Sequence, residues 1–145
     1  MAARAATRAR VGMFMNDRAS RLLGMQIVEV TPGRATLTMA IRDDMLNGHD
    51  ICHGGFITTL ADSAFAFACN SRNVVTVAAG LTVDFLAPAH GGDVLTAAAS
   101  ETSRAGRTGV YDIVVTNQHG RRVALVRGRS HSLTGRTVIP AKESA

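Results

Sequence analysis

The stretch that decides the fold is GGFITTLADSAFAFACNSRN, residues 54–73, the least polar segment of the chain. It has few charges on any face over about five helical turns, so it predicts a helix that is buried on nearly all sides. Asp62 interrupts this pattern in the middle of the segment. An aspartate there has a low helix propensity, and its desolvation is costly unless it is paired or reaches water. Asp62 therefore lies either on a solvated edge of the helix or at a site where its carboxylate has a chemical task.

Alternating apolar and polar residues on both sides of this helix predict strands. Upstream, residues 25–41 form two alternating runs around Pro32-Gly33, a pattern typical of a hairpin. Downstream, Ala105-Gly106 and His119-Gly120 supply turns for an antiparallel meander. The four downstream segments are residues 74–87, 93–103, 107–117 and 121–133. The pattern predicts an α+β fold in which an antiparallel sheet of about six strands wraps around one long central helix.

The length of 145 residues fits one domain. We predict a flexible N-terminal arm at residues 1–10, a domain over residues 11–135 and a C-terminal tail at residues 136–145. The domain begins with an amphipathic helix from Val11 to about Leu23, which Gly24 ends. The central helix has too little polar surface to face water, so we expect a second copy of the chain to cover it.

Composition limits the cellular location. No apolar run approaches the roughly 20 residues that span a bilayer, and the first residues lack the apolar stretch of a secretory signal. Cys52 and Cys69 flank one helix instead of forming a framework of spaced pairs, which indicates two free thiols. We expect a cytoplasmic protein with no membrane partner.

The net charge of +5 arises from 16 basic residues, and all but one are arginines. Two explanations stay open: arginine-biased codon usage with a basic N-terminal arm, or an anionic ligand. Nucleic acid is the less favoured ligand, because an aromatic content of 4% offers few stacking platforms and no RNP-like or helix-turn-helix pattern is present. A phosphorylated small molecule fits better.

Two runs carry a family resemblance: MLNGHDICHGGFITTLADSAFAFACNS, residues 45–71, and VDFLAPAHGGD, residues 83–93. They resemble the hotdog-fold acyl-CoA thioesterases, and specifically the phenylacetic acid degradation (PaaI-type) branch, over about residues 12 to 134. The resemblance implies a hotdog fold and hydrolysis of acyl-CoA thioesters of the phenylacetyl or hydroxyphenylacetyl type. It implies no metal and no cofactor, because CoA is part of the substrate.

Thioester hydrolysis requires a polarised carbonyl and an activated water or nucleophile. His53-Gly54-Gly55 places backbone without side chains at a helix N-terminus, where free N–H groups and the helix dipole favour an oxyanion. The resemblance assigns carbonyl polarisation to the Gly54 N–H, with Gly55 beside it in the substrate site. The glycines could instead serve only a tight helix start. For Asp62 the functional interpretation is a general base for water, or a nucleophile that forms an acyl anhydride, and the resemblance leaves this choice open.

Spacing along the helix adds a geometric constraint. Asp62 lies eight residues after Gly54, which is roughly 12 Å along the helix axis at about 1.5 Å per residue. Both groups must come within about 3 Å of the reacting centre, so one helix cannot easily supply both. Two antiparallel helices across a dyad can, so we predict a homodimer with composite active sites. The family resemblance implies the same arrangement and further implies assembly to a tetramer.

Three further residues are candidates by resemblance. Asn47 has a place beside the carbonyl or the water, although an Asn before Gly48 is also typical of a plain turn. His53 could donate towards the sulfur or hold the loop. Thr82 matches a position where related thioesterases carry a hydroxyl that positions water, although threonine is common in strands. Asp84, in the same strand, is interpreted as structural.

The phosphates of CoA need a cationic site near the surface. In SRAGRTG, residues 103–109, Arg104 and Arg107 stand on either side of a turn at Gly106, an arrangement suited to phosphate contact. Arginines of a hairpin turn are also ordinarily solvated. The predicted substrate-binding set is therefore Gly55, Arg104, Gly106 and Arg107.

Two alternatives remain beside the thioesterase. A hotdog enoyl-CoA hydratase requires a His paired with the acid, and no His lies one or two turns from Asp62. A noncatalytic acyl-CoA binding module would keep the basic rim and the apolar groove but would not need Asp62. The sequence does not identify the preferred acyl group.

Overall fold

The long apolar segment forms one helix at the centre of the molecule. The computed structural model describes residues 1–140, and helix α3 spans Gly54–Cys69. Its apolar side chains, including Leu60, Phe65 and Phe67, are almost completely buried. Asn70 ends the helix, and its side-chain amide donates to the carbonyl oxygens of Ala66 and Thr76. The predicted central helix is therefore present.

Six strands form one antiparallel sheet that packs against α3. They are β1 Gln26–Thr31, β2 Arg34–Ala40, β3 Thr76–Phe85, β4 Val94–Ala105, β5 Thr108–Thr116 and β6 Arg122–Ser132. Their order across the sheet is β1-β2-β4-β5-β6-β3, with every neighbouring pair antiparallel. All six strands contact α3. The predicted α+β architecture, a sheet wrapped around one helix, is confirmed.

The sheet approaches α3 closely because its inner face alternates large apolar residues with small ones. Tyr111 and Ile113 of β5 point into the core and are almost completely buried. Gly128 of β6 leaves room for the ring of Phe65, since a Cβ atom at this position would lie 2.9 Å from the ring. The glycine thus sets the distance between sheet and helix at the centre of the core.

The two edges of the sheet differ. The β1 side is flanked by two N-terminal helices, α1 (Ala2–Asn16) and α2 (Arg18–Leu22). They contact α3 through Phe14, whose ring lies 6.3 Å from that of Phe67, and through Ser20, whose hydroxyl lies 2.7 Å from that of Ser63. At the other edge, β3 pairs only with β6 among the described residues and exposes 46% of Val77.

The N-terminal segment differs from its prediction. Residues 1–10 were expected to form a flexible arm, but most of them belong to α1, with Ala6 and Ala9 buried. Because the alanine side chains are small, α1 can lie close to the sheet. Arg10 of this helix donates a hydrogen bond to the carbonyl oxygen of Ile27 in β1. The single helix predicted from Val11 is divided at Asp17, which caps α2 by accepting from the Ser20 N–H.

The described part of the predicted C-terminal tail contacts the body of the protein. Asn73 accepts a hydrogen bond from the Ile139 N–H at 2.9 Å, and residues 141–145 lie outside the described residues. Over residues 1–140, no helix has both the length and the apolar character needed to cross a membrane. In the same range, no three His, Cys, Asp or Glu side chains cluster as metal ligands would.

Candidate active site

An apolar groove opens at the N-terminus of α3. Its volume is about 580 Å³, and its walls include Ile51, Ile57, Phe85 and Leu86. Asn47 and Gly54 also line it. The groove therefore brings a hydrocarbon-lined space directly to the start of a helix.

The Gly54 N–H is free at the head of this groove. No acceptor for it exists among residues 1–140, whereas the next two N–H groups are bonded to His53. A free N–H at a helix N-terminus carries positive partial charge and stabilises an anionic oxygen. A side chain at this position would have to displace the ring of Phe85, because a Cβ atom on Gly54 would lie 2.9 Å from it. The sequence pattern thus leaves one donor pointing outward.

His53 holds this arrangement as the N-cap of α3. Its Nδ1 accepts the Gly55 N–H at 2.9 Å, so the ring carries a lone pair on Nδ1. The ring also packs edge-on against Phe56, with a centroid distance of 6.2 Å. Two roles were predicted for His53, and this hydrogen bond supports the one in which His53 holds the loop. Gly55, predicted to lie in the substrate site, has its N–H engaged by this cap.

The cap gives a stability prediction. His53→Ala should lower the free energy of unfolding by about 1 kcal/mol, because the Gly55 N–H loses its acceptor at the helix N-terminus. Chemical denaturation monitored by circular dichroism measures the change. His53→Asn, which can cap in the same way, serves as the control and should recover most of the loss. Equal stability of the alanine variant and the wild type would contradict the capping role.

Asn47 organises the loop that precedes α3. Its Oδ1 accepts the N–H groups of His49 at 2.9 Å and Ile51 at 3.4 Å, which closes the turn before the glycines. Its Nδ2 donates to no acceptor within the described range, although the residue lines the groove. Asn47 can therefore close the turn through Oδ1 and still donate to a substrate through Nδ2.

Asp62 is half-buried in the middle of α3, on a partly exposed stripe that also contains Gly55, Thr58, Thr59 and Ala66. Burial raises the pKa of its carboxyl above the ordinary aspartate value, and the nearby Asp17 carboxylate raises that pKa further. No described side chain or backbone group hydrogen-bonds to it. A partly desolvated carboxylate without a partner is a stronger base than one on an open surface.

One chain assembles only part of the predicted site. Asn47, His53 and Gly54 meet at the head of the groove. Asp62 lies two turns further along the same helix, roughly 12 Å away along the axis. Within a single chain, then, the donor and the carboxylate do not face the same point.

The structure does not bring Thr82 to these residues. Its neighbours Leu81 and Val83 pack against the core, so the side chain of Thr82 points to the opposite face of the sheet. There its hydroxyl accepts a long hydrogen bond, 3.4 Å, from Arg129. Asp84 lies on the same outer face, beside the ion pair of Arg127 with Asp112. The sheet thus separates Thr82 from α3.

Arg104 and Arg107 lie at the other end of the molecule from Gly54. They stand on either side of the β4–β5 turn, where Gly106 adopts a φ of +58°. A series of contacts connects this turn to the C-terminal end of α3. The Arg107 carbonyl oxygen accepts from the Ser132 N–H, and Ser132 pairs with Thr76 across the sheet. The Thr76 N–H in turn donates to the side chain of Asn70, which ends α3. Both side chains are exposed and form no salt bridge with any described residue.

Comparison with known proteins gives this arrangement a family. Residues 49–124 match the sequence profile of the thioesterase superfamily. Over 123 residues the chain is 47% identical to the acyl-coenzyme A thioesterase PaaI of Escherichia coli (strain K12), a match that covers 85% of this chain and 88% of that protein. The chain belongs to the thioesterase superfamily.

Solved structures agree with this thioesterase fold. The E. coli PaaI protein from the phenylacetic acid degradation operon has a TM-score of 0.91 at 44% identity, covering 94% of this chain and 99% of that one. A mutant of the phenylacetic acid degradation protein PaaI from Thermus thermophilus has a TM-score of 0.78 at 36% identity, covering 81% and 100%. A Streptococcus mutans protein bound to acetyl CoA has a TM-score of 0.75 at 26% identity, covering 78% and 91%. The predicted family, hotdog fold and enzyme class, a thioesterase, are confirmed.

Sequence reasoning missed two features of this thioesterase. Phe85 forms a wall of the groove and lies against Gly54, although its strand pattern alone indicates an ordinary β residue. Asp17 joins α2 to α3 through Ser20, whose hydroxyl donates to the Asp17 carboxylate and accepts a hydrogen bond from the Ser63 hydroxyl. The Asp-Arg-Ala-Ser spacing of a helix cap was the available signal for this second feature.

Proposed function

We propose that this thioesterase hydrolyses acyl-CoA thioesters to a free acid and CoA, with aryl-acetyl groups such as phenylacetyl or hydroxyphenylacetyl as the acyl part. The observation that carries the proposal is the free Gly54 N–H at the head of an apolar groove. The relatives support the substrate class, since they include an acyl-coenzyme A thioesterase and a protein bound to acetyl CoA. The groove has a volume of about 580 Å³ and apolar walls, which suit an aromatic acyl group.

The proposed active site is shared between two copies of the chain. Among residues 1–140, the β3 edge pairs with no strand on its outer side and can pair with a second copy, and the partly exposed stripe of α3 lies beside it. If a two-fold axis passed there, the two α3 helices would be antiparallel, and the N-terminus of one would lie beside Asp62 of the other. This arrangement supplies the donor and the carboxylate to one carbonyl. We propose a homodimer on this basis, with two dimers forming a tetramer.

The same arrangement gives the arginines a role. Arg104 and Arg107 lie at the C-terminal end of their own α3, which in an antiparallel pair is the end nearer to the partner's Gly54. They would therefore contact the phosphates of a CoA molecule whose thioester is bound at that glycine. Guanidinium groups without a carboxylate partner are available for such charge-assisted hydrogen bonds.

In the proposed reaction Asp62 acts as a general base or as a nucleophile. As a base it takes a proton from water while the water oxygen attacks the thioester carbon, and the carbonyl oxygen becomes an oxyanion on the Gly54 N–H. Collapse of the intermediate breaks the C–S bond, and the CoA thiolate receives the proton. As a nucleophile, an Asp62 oxygen displaces CoA first, and water then cleaves the resulting anhydride. Asn47 would add a second donor through Nδ2.

The phosphate site gives a prediction. Arg104→Ala and Arg107→Ala should raise KM for acyl-CoA more than they lower kcat, because phosphate contacts are remote from the bond that breaks. The same variants should hydrolyse a truncated pantetheine thioester as well as the wild type does. Steady-state kinetics with both substrates measures the difference, and equal losses on both would place these arginines outside the phosphate site.

A panel of acyl-CoA substrates tests the function itself. Phenylacetyl-CoA, hydroxyphenylacetyl-CoA and aliphatic acyl-CoAs are compared by release of free thiol. We expect thiol release, fastest with the aryl-acetyl esters. Hydration of an enoyl-CoA without thiol release would identify the hydratase, and binding of CoA esters with no turnover would identify the noncatalytic module.

A further inference from the structure

Hydrolysis by general base catalysis needs a water molecule that is held beside Asp62 in one orientation. Two hydroxyl groups lie one helical turn before Asp62, on Thr58 and Thr59. We propose that Thr58 is the positioning residue that holds the attacking water against Asp62. The inference rests on the proposed function and assigns Asp62 the general base role.

The hydrogen bond of Thr58 determines what its hydroxyl can offer. Its Oγ1 donates to the Gly54 carbonyl oxygen at 2.8 Å. A threonine hydroxyl has one proton, so Oγ1 presents only lone pairs to any further partner. An ionised Asp62 is also an acceptor only. A water between them would donate one hydrogen to each and direct its own lone pair towards the thioester carbon.

The geometry of α3 distinguishes Thr58 from Thr59. At about 100° per residue, Thr58 lies roughly 40° from Asp62 towards the side of Gly54, and Thr59 lies roughly 60° away on the other side. The Gly54 side faces β3, since Gly54 abuts the ring of Phe85. The opposite side carries Ser63, which contacts α2 through Ser20.

A partner that pairs along β3 meets α3 on the Gly54 side. Thr58 therefore borders the shared site, while Thr59 points towards α2. The strand itself offers no hydroxyl here, because residues 77–81 are Val-Ala-Ala-Gly-Leu. Thr82, the hydroxyl predicted for this task, lies beyond the sheet. Thr58 supplies the acceptor that the strand lacks.

Steady-state kinetics of four variants tests the inference, with the acyl-CoA that the wild type hydrolyses fastest. Thr58→Val keeps the shape of the side chain and removes the acceptor, so kcat should fall about 10- to 100-fold with KM nearly unchanged. Thr58→Ser keeps the hydroxyl and should stay within a few-fold of the wild type. Thr59→Val is the matched control, since Thr59 makes an equivalent 2.8 Å bond to the Gly55 carbonyl oxygen. It should retain wild-type kcat, and thermal unfolding should show that all variants fold.

Several results would overturn the inference: wild-type kcat in Thr58→Val, a Thr58→Ser variant as slow as Thr58→Val, or an equal loss in Thr59→Val. The fourth variant, Asp62→Asn, separates this failure from failure of the proposed function. If Asp62→Asn is inactive while Thr58→Val is unaffected, the function stands and the role of Thr58 is rejected. If Asp62→Asn matches the wild type, or the wild type releases no thiol, the proposed function is rejected and the inference with it.

Discussion

Asp62→Asn should lower kcat by several orders of magnitude while the fold and the affinity for CoA persist. An amide of the same shape neither accepts a proton from water at neutral pH nor attacks a thioester, so the reaction loses its base or nucleophile. Thiol release under saturating substrate measures kcat, and equilibrium binding of CoA is the control. Turnover near the wild-type rate would reject the assignment of Asp62.

The environment of Asp62 adds a pH dependence to this prediction. Burial and the Asp17 carboxylate raise the pKa of Asp62 in the folded protein. As the solution is acidified, the wild-type kcat should therefore begin to fall at a higher pH than it would if Asp62 had the pKa of an ordinary aspartate. A carboxyl whose pKa is raised on folding stabilises the fold below its unfolded pKa, and this contribution is lost as the pH rises through the folded value. Asp62→Asn should consequently be more stable than the wild type at neutral pH, with a difference that shrinks in acid.

Mixing two inactive variants should restore activity if the active site is shared. Gly54→Val should block the oxyanion site with added bulk, since a Cβ atom at this position would lie 2.9 Å from the ring of Phe85, and Asp62→Asn removes the carboxylate. A mixed dimer then contains one site with both defects and one site with neither. Random exchange of equal amounts should recover about a quarter of the wild-type activity, because half of the dimers are mixed and one of their two sites is intact.

Native mass spectrometry of subunits with different masses confirms that exchange has taken place. If donor and carboxylate came from one chain, every site in the mixture would carry a defect and activity would stay at the level of the parents. Absence of recovery with confirmed exchange would therefore reject the composite site. Each parent measured alone under the exchange conditions is the control for residual activity.

The elements that periodicity predicts well are those whose apolar pattern is strong. The segment after His53 is apolar on nearly all faces, and it forms the buried helix. The turns at Gly33, Gly106 and Gly120 have positive φ angles, which glycine adopts without strain, so the hairpins were recognisable. The Asn, His-Gly-Gly and Asp spacing located both the start of the helix and its one unusual carboxylate.

Other features depend on distances that the sequence does not contain. Ala6 and Ala9 are buried by close approach of α1, and small alanines give no strong apolar signal. The face of β3 on which Thr82 lies depends on the register shift between Ala78 and Gly80. An extra residue at such a bulge reverses the side to which later side chains point. The resemblance identified a hydroxyl on this strand, but only the structure shows which way it faces.

The contact between Gly54 and Phe85 links acyl-group selection to rate. The ring that shapes the groove also supports the peptide that presents the N–H donor. A smaller side chain at position 85 would enlarge the groove and, at the same time, let that donor move. The acyl preference of this enzyme should thus be harder to change by evolution or engineering at Phe85 than at Leu86, which borders the same groove, because the atoms nearest to a Cβ on Gly54 belong to Phe85.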